Sequence, residues 1–348
     1  MPPAAQSVQF GDTPPVSHVL PGSADPGSPI SGMPAPHATF SGEPTERNPM
    51  TPFPAIDIHQ HLWPAVLIDA LRSRSRVPRL AGWTLALDGE PPFEVDRHDH
   101  RPAERRALDG GRIVLGLSSP LGIEDLPPDE GRALLTAWHD GAAGLRPAFD
   151  AWAAVSREDP DLDALADRLV GGFAGLQLPA TWLATPSATE RLGDVLAVAA
   201  AANRPVFVHP GPVPPADPDD HRPSWWPAVV DYPSQLLAAW WSWHAVGRTL
   251  FPDLRICFAA GAGLAPVHHE RFLARGGRSL VVDPGTFVDT SSYSRQGVDG
   301  LIRALGVDPI VVGSDRPYGS PFETDLGDAA HVAFRHTNPL RLLEGTRS

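Results

Sequence analysis

The sequence predicts an α/β protein: a closed (β/α)8 barrel, TIM-like in layout, preceded by a disordered or extended N-terminal arm. Three observations predict it. Eight short β-rich runs alternate with longer helical stretches from residue 55 onward. Setting the arm aside leaves a body of about 290 residues, a little above the ~250 typical of such a barrel. Histidine or aspartate stands at the end of three of the runs, and the ends of barrel strands are where active sites lie.

The arm comes first in the chain. From Met1 to Pro54 the sequence is rich in Pro, Ser and Gly and has no apolar periodicity (PPVSHVLPGSADPGSPISGMPAPH). Such a segment buries too little apolar surface to offset its ordering entropy. Residues 1–54 are therefore read as an arm and 55–348 as one barrel domain.

The body starts with Ala55–His61 (AIDIHQH). The further strand candidates are Arg112–Leu117 (RIVLGL), Ala148–Val155, Phe173–Leu178 (FAGLQL), Pro205–His209 (PVFVH), Leu254–Ala260 (LRICFAA), Thr286–Thr290 (TFVDT) and Ile310–Asp315 (IVVGSD). Between them the spacing predicts helices over Glu130–His139, Leu162–Leu169, Ala188–Ala202, Tyr232–Thr249 and Val298–Leu305. The Ala188–Ala202 run stops at Asn203-Arg204-Pro205, a sensible helix end. Strands that alternate with helices imply a parallel sheet, and eight of them close most commonly into a barrel.

Composition excludes several classes of function. The chain has 348 residues and a formal charge of −13. A chain this acidic repels phosphate backbones, so no nucleic-acid partner is expected. The single cysteine, Cys257, excludes an intrachain disulfide and a Cys-rich zinc module. No apolar stretch approaches the 18 or more residues of a membrane span. No basic start followed by an apolar core marks a secretory signal. The expectation is a soluble, cytoplasmic protein with no membrane partner. A homodimer is the default oligomer.

The chemistry concentrates in Asp57-Ile58-His59-Gln60-His61. The strand period of two puts Asp57, His59 and His61 on one face and Ile58 and Gln60 on the other. In a barrel that face points inward, so two neutral imidazoles can aim at one divalent cation. His209 ends PVFVH, and Asp315 ends IVVGSD just before a Pro/Gly turn. His59, His61, His209 and Asp315 would make a three-nitrogen, one-oxygen site with room for a water, the mark of a catalytic metal.

Together, DIHQH, VHPGP, GSDRPYG and the closing NPLRLL resemble the amidohydrolase superfamily. The likeness is to its amidohydrolase-2 branch, which holds metal-dependent hydrolases, lactonases and non-oxidative decarboxylases such as aminocarboxymuconate semialdehyde decarboxylase. The resemblance runs from about Ala55 to Leu343. It implies a barrel in which His59, His61, His209 and Asp315 bind one metal ion, zinc in the first place and manganese in the second. Two positions depart from the pattern. Such proteins usually end the sixth strand in His-x-Gly-Gly, where this chain has Ala260 in Phe258-Ala259-Ala260-Gly261. His268 and His269 lie just downstream and read as surface histidines at a helix start. Gln177 stands where binuclear branches carry a carboxylated lysine, so a single metal is expected.

On the substrate side, the segment from Pro210 to about Ser234 leaves directly from His209 and is expected to overhang the mouth. It carries Asp217, Asp219, Asp220 and His221, and five of the chain's ten tryptophans fall within Trp225–Trp243. Trp225 and Trp226 are candidates for a substrate wall or lid, and Trp63 for a substrate contact. Trp240 and Trp243, at helical spacing, read as packing for an outer helix. Arg316 either grips a substrate carboxylate or pairs with an acid such as Asp289 or Glu323. Asp96, His98, Asp99 and His100 (DRHDH) read as a solvated loop.

The first functional reading is a mononuclear metal-dependent hydrolase of a lactone, amide or ester, with Asp315 as general base for a metal-activated water. The second is a metal-dependent non-oxidative decarboxylase of an aromatic or enol acid. The third is a barrel that has lost catalysis and binds a ligand. The expected partner is a small molecule, aromatic or carboxylate-bearing.

Overall fold

Eight parallel strands form one sheet that curls until its last strand meets its first. The computed structural model describes residues 53–215, 221–278, 283–321 and 326–345. The strands are β1 (Ile56–Gln60), β2 (Arg112–Leu115), β3 (Asp150–Ala153), β4 (Gly175–Pro179), β5 (Val206–His209), β6 (Ile256–Phe258), β7 (Thr286–Asp289) and β8 (Ile310–Val311). They pair in chain order. Beyond β8 the backbone continues along β1. Ile58 N–H donates to Val312 O at 3.1 Å, Asp315 N–H to His59 O at 2.9 Å, and His61 N–H to Arg316 O at 2.7 Å. These bonds close the barrel. All eight strands expected from the sequence are present, most of them shortened at their ends, while β4 starts later than expected and runs one residue further, to Pro179.

Strand alternation fills the interior. Phe207 stacks on Trp152 at 5.2 Å between centroids and meets the His59 ring edge-on at 5.0 Å. Trp152 Nε1–H donates to Ile58 O, satisfying its one polar atom inside the core. Outside, Trp240 and Trp243 are fully buried, and Trp240 packs edge-on against Phe258 of β6. They hold the helix Tyr232–Ser242 onto the sheet, as their helical spacing implies.

The helices follow their sequence signals with local breaks. Pro128–Gly144 starts with a proline and carries Asp129 and Glu130 in its first turn, where the dipole favours acids. The run Ala188–Ala202 is two helices, Pro186–Arg191 and Gly193–Ala201, interrupted at Leu192, just before a glycine that weakens helix propagation. It ends with Asn203 in the left-handed region at φ 50°, the usual conformation after a helix C-terminus. Tyr232–Ser242 passes into a π-helical turn, Trp243–Gly247. No described helix is long and apolar enough to cross a membrane.

One element has no counterpart in the sequence reading. Arg79–Ala81, Thr84–Ala86 and Phe93–Glu94 form a three-stranded antiparallel sheet inserted between β1 and β2. Strands of two or three residues are too short to show a period of two. The DRHDH stretch is a 3-10 turn capped by the Asp96 side chain, and Asp96, Arg97 and His98 are exposed as expected. His100 departs from that expectation. It is buried and stacks on Trp63 at 4.4 Å. The arm expected over 1–54 lies outside the described residues except for Phe53 and Pro54. There Phe53 stacks on His336, whose Nδ1–H donates to Pro54 O.

Candidate metal centre and cavity

Three strand ends deliver four side chains to one point at the C-terminal mouth of the barrel. His59 lies in β1 and His61 just beyond it, His209 closes β5, and Asp315 follows β8. Their four ligating atoms all lie within 4.8 Å of one another. His59 Nε2 is 3.1 Å from His61 Nε2, which is 3.2 Å from His209 Nε2. Asp315 Oδ1 is 3.3 Å from His59 Nε2 and 3.2 Å from His61 Nε2. Donors held about 2.0–2.2 Å from a single ion stand roughly 3 Å apart, so the spacing suits one first coordination sphere.

The outer ring nitrogens set the tautomers. Nδ1 of His61 faces Gly116 O at 3.0 Å, and Nδ1 of His209 faces Pro210 O at 2.8 Å. A carbonyl only accepts, so both Nδ1 atoms carry the proton and both Nε2 atoms present lone pairs. His59 Nδ1 faces Asp289 Oδ2 at 2.7 Å. Asp289 is fully buried, and its other oxygen accepts from Ala260 N–H, Ser291 N–H and the Ser291 hydroxyl. Gly313 makes that approach feasible. A Cβ there would sit 2.6 Å from Asp289 Oδ2 and 2.8 Å from His59 Cβ. Three lone pairs and a carboxylate oxygen facing one another in a buried site repel unless a cation stands among them. The donor set therefore fits a divalent ion.

The electrostatics carry the same signature. Burial drives the His59 pKa down, but the Asp315 and Asp289 carboxylates outweigh it and push it up to about 8. Burial and the neighbouring His59 and His61 hold His209 well below its ordinary value. Burial would raise Asp315, yet the three histidines bring it below the usual carboxylate range. Asp57, on the same face as His59, is not a ligand. Its Oδ1 accepts from Ser314 N–H and its Oδ2 from Gln60 Nε2, tying β1 to the segment after β8. Burial raises its pKa against those bonds.

Above the four residues opens a cavity of about 520 Å3, within the range of small-molecule sites. Its walls are largely apolar. Leu85, Leu87 and Phe93 of the inserted sheet and its loop face Pro210, Val229 and Pro233 of the segment after β5. The polar groups are few: Asp315, Glu90, Tyr232, Tyr318, Tyr293 and serines 118, 291 and 292. No arginine lines it among the described residues, and the chain contains no lysine. Without lysine no carbamate bridge can form. Gln177, in β4, instead donates to Leu117 O and Ser119 Oγ.

Not all the substrate-side candidates reach this cavity. Trp63 borders it but is fully buried, its Nε1–H donating to Ser118 Oγ and its backbone N–H to His100 Nδ1. Trp225 and Trp226 do not line it. The chain enters a π-helical turn at Pro227, which leaves Trp225 exposed and stacked on Trp226 at 5.9 Å, while Ala228, Val229 and Tyr232 face inward. Arg316 is likewise displaced. Its backbone pairs with β1 beside Asp315, so successive side chains alternate: Asp315 faces the cavity and Arg316 turns to Asp109, 3.5 Å away. Asp289 pairs with His59 instead, and Glu323 lies outside the described residues, as do Asp217, Asp219 and Asp220. Ala260 lines the wall, and His268 and His269 do not reach it. His268 is exposed, and His269 packs among Trp240 and Trp241. The sequence reading missed Glu90, Tyr232 and Tyr318 as cavity residues and Asp289 as the partner of His59. Only Asp289 left a signal, an acid one residue before the end of TFVDT.

Fold and site together define a (β/α)8 barrel with a three-histidine, one-aspartate centre for one divalent metal ion. No family model matches the sequence, and no curated protein does. Solved structures do match the fold. IDCase from Metarhizium anisopliae in apo form is 19% identical, with 83% of this chain and 97% of that one covered at a TM-score of 0.66. The 5-carboxyvanillate decarboxylase of Sphingomonas paucimobilis is 16% identical, covering 84% and 99% at 0.60. A dihydroxybenzoic acid decarboxylase from Polaromonas, with bound manganese and the inhibitor 2-nitroresorcinol, is 17% identical, covering 85% and 98% at 0.57. The chain thus has the fold of the amidohydrolase-2 branch that its motifs resemble.

Proposed function

We propose that the chain is a mononuclear metal-dependent decarboxylase of an aromatic or enol acid, the second of the readings its sequence supports. The observation that carries this choice is the count of proton-transfer groups beside the metal point. With Ala260 in place of an imidazole, Asp315 is, among the described residues, the one carboxylate that both touches the histidine cluster and opens to the cavity, its side chain 19% exposed, while Tyr318, 5.8 Å from the His61 ring, is held in its protonated form by burial. Loss of carbon dioxide asks for a single proton, delivered to carbon. Hydrolysis asks for a base toward water and an acid toward the leaving group, two roles that Asp315 would have to fill in succession. The named activities of the similar structures support the same choice.

His59, His61, His209 and Asp315 would hold the ion. When bound, it would supply a Lewis-acid charge that draws and orients the substrate carboxylate. The manganese in the Polaromonas structure favours manganese over zinc, although imidazole and carboxylate accept both. The apolar walls exclude water around the reacting carbon. Asp315, ionised in the resting site, takes a proton from solvent and passes it to the reacting carbon; the carboxylate leaves as carbon dioxide, the electron pair of the broken bond stays on carbon, and Asp315 returns ionised. Asp289 and the Gly116 and Pro210 carbonyls keep the imidazoles in register throughout.

Carbon dioxide release from hydroxybenzoic acids tests this, using protein stripped of metal and reloaded with Mn2+ or Zn2+. The expected result is metal-dependent release that Asp315→Asn lowers by about 10^3-fold with unchanged circular dichroism. Cleavage of lactones or esters without carbon dioxide release from any acid would return the assignment to a hydrolase.

A further inference from the structure

One part of the cavity wall is built from two segments distant in sequence. One is the loop of the inserted sheet, carrying Glu90. The other is the segment after β5, carrying Tyr232 at the start of the helix Tyr232–Ser242. Glu90 Oε1 accepts from the Tyr232 hydroxyl at 2.9 Å, and both side chains line the cavity. The contact is held on both sides. Gly89, at φ +79°, lies so close to the other segment that a Cβ would sit 2.9 Å from the carbonyl oxygens of Val213 and Pro214. On that segment, Gln235 accepts from Gly211 N–H and donates to Pro212 O. Glu90 Oε2 has no hydrogen-bond partner among the described residues, and burial raises the Glu90 pKa.

The cavity therefore carries two polar groupings. The metal end, when loaded, attracts a carboxylate. The Glu90–Tyr232 pair offers a carboxyl group and a phenol, and among the described residues no arginine lines the cavity. We infer that Glu90 and Tyr232 are the specificity pair of this site, taking a hydroxyl or amino group of a monocarboxylic aromatic acid and rejecting a second carboxylate. A substrate hydroxyl can donate to Glu90 Oε2, whereas a second carboxylate would lie against an acid with no counter-charge. Such discrimination is strong where a buried polar group would otherwise lose its partner.

The inference rests on the proposed reading of the metal end. Its test is binding, measured by titration calorimetry on Mn2+-loaded and metal-free protein. The probes are benzoate, 3- and 4-hydroxybenzoate, isophthalate and terephthalate. Wild type is expected to bind at least one hydroxybenzoate about tenfold or more tighter than either dicarboxylate, in a metal-dependent way. Glu90→Gln and Tyr232→Phe are expected to shrink that ratio severalfold and leave benzoate within about twofold. Metal-dependent binding with the same ratio in wild type and both variants overturns the role of Glu90 and Tyr232 alone. Absence of metal-dependent binding by every acid overturns the reading of the metal end, and this inference with it. Glu90→Gln keeps shape and hydrogen-bonding capacity, so its melting temperature should match wild type, and Tyr232→Phe gives an independent second probe.

Discussion

Asp289 shows how one side chain can govern a metal site it does not enter. Its Oδ2 fixes the His59 ring through Nδ1, while its Oδ1 is saturated by Ala260 N–H and both donors of Ser291. An amide at this position can still accept through oxygen, but it loses the charge and turns a donor toward one of its present partners. Asp289→Asn is expected to weaken metal affinity by about 10–100-fold while the fold stays intact. Competition against a fluorescent chelator measures it, and wild-type affinity in the variant would contradict the assigned role. The four ligands were legible in the sequence because each sits at a strand end in an ordered motif. Asp289 was read there only as one of two acids for Arg316, since a strand-end acid does not reveal which ring it faces. The Trp225–Trp226 pair was misplaced because the sequence does not show the π-helical turn at Pro227 that directs Ala228, Val229 and Tyr232 inward, and Arg316 for a reason of direction. Adjacency to a ligand in sequence says little about direction, because one step along an extended backbone reverses the side chain.

Among elements, the eight strands were legible because buried parallel strands read as apolar runs, whereas the inserted sheet was not. Its strands of two or three residues draw stability from the surface they cover rather than from their own pattern. That sheet nonetheless shapes the cavity, supplying Leu85, Leu87 and Phe93, with Glu90 on its loop. Gly89 fixes how it seats. Its positive φ disfavours any other residue, and a Cβ would press on two backbone carbonyls. Gly89→Ala is expected to lift the loop off Val213 and Pro214, costing about 1–2 kcal/mol locally. Aromatic-acid binding should weaken severalfold while metal content holds. Calorimetry together with metal analysis separates the two effects, and equal loss of both would mean that the loop supports the metal site itself.

At the scale of the whole molecule, barrel closure brings groups from distant parts of the chain into one dry interior, and that interior constrains ionisation. Glu124, between β2 and the helix Pro128–Gly144, is fully buried. Its partner is the Ser119 hydroxyl, which also receives Gln177 Nε2–H. Burial, opposed only partly by that hydrogen bond, pushes its pKa up to about 8 from an ordinary 4.5. The sign of the linkage follows from which state binds more protons. Below pH 4.5 the carboxyl is neutral in both folded and unfolded chains, and no penalty applies. Between 4.5 and 8 the unfolded chain ionises while the folded one keeps its proton, so stability falls by up to about 1.4 kcal/mol per pH unit. Above 8 the loss levels off, at on the order of 4 kcal/mol. His100 and His139, held neutral by burial with pKa values lowered to about 3, act in the opposite sense, removing stability as pH falls below 6.5. Comparison with Glu124→Gln isolates the glutamate, because the two histidines contribute equally to both proteins. Urea unfolding at pH 5, 6, 7 and 8 should show the variant gaining on wild type at each step upward, with the gap widest at pH 8. Parallel profiles would mean that Glu124 is already ionised in the fold and that its buried surroundings supply a counter-charge.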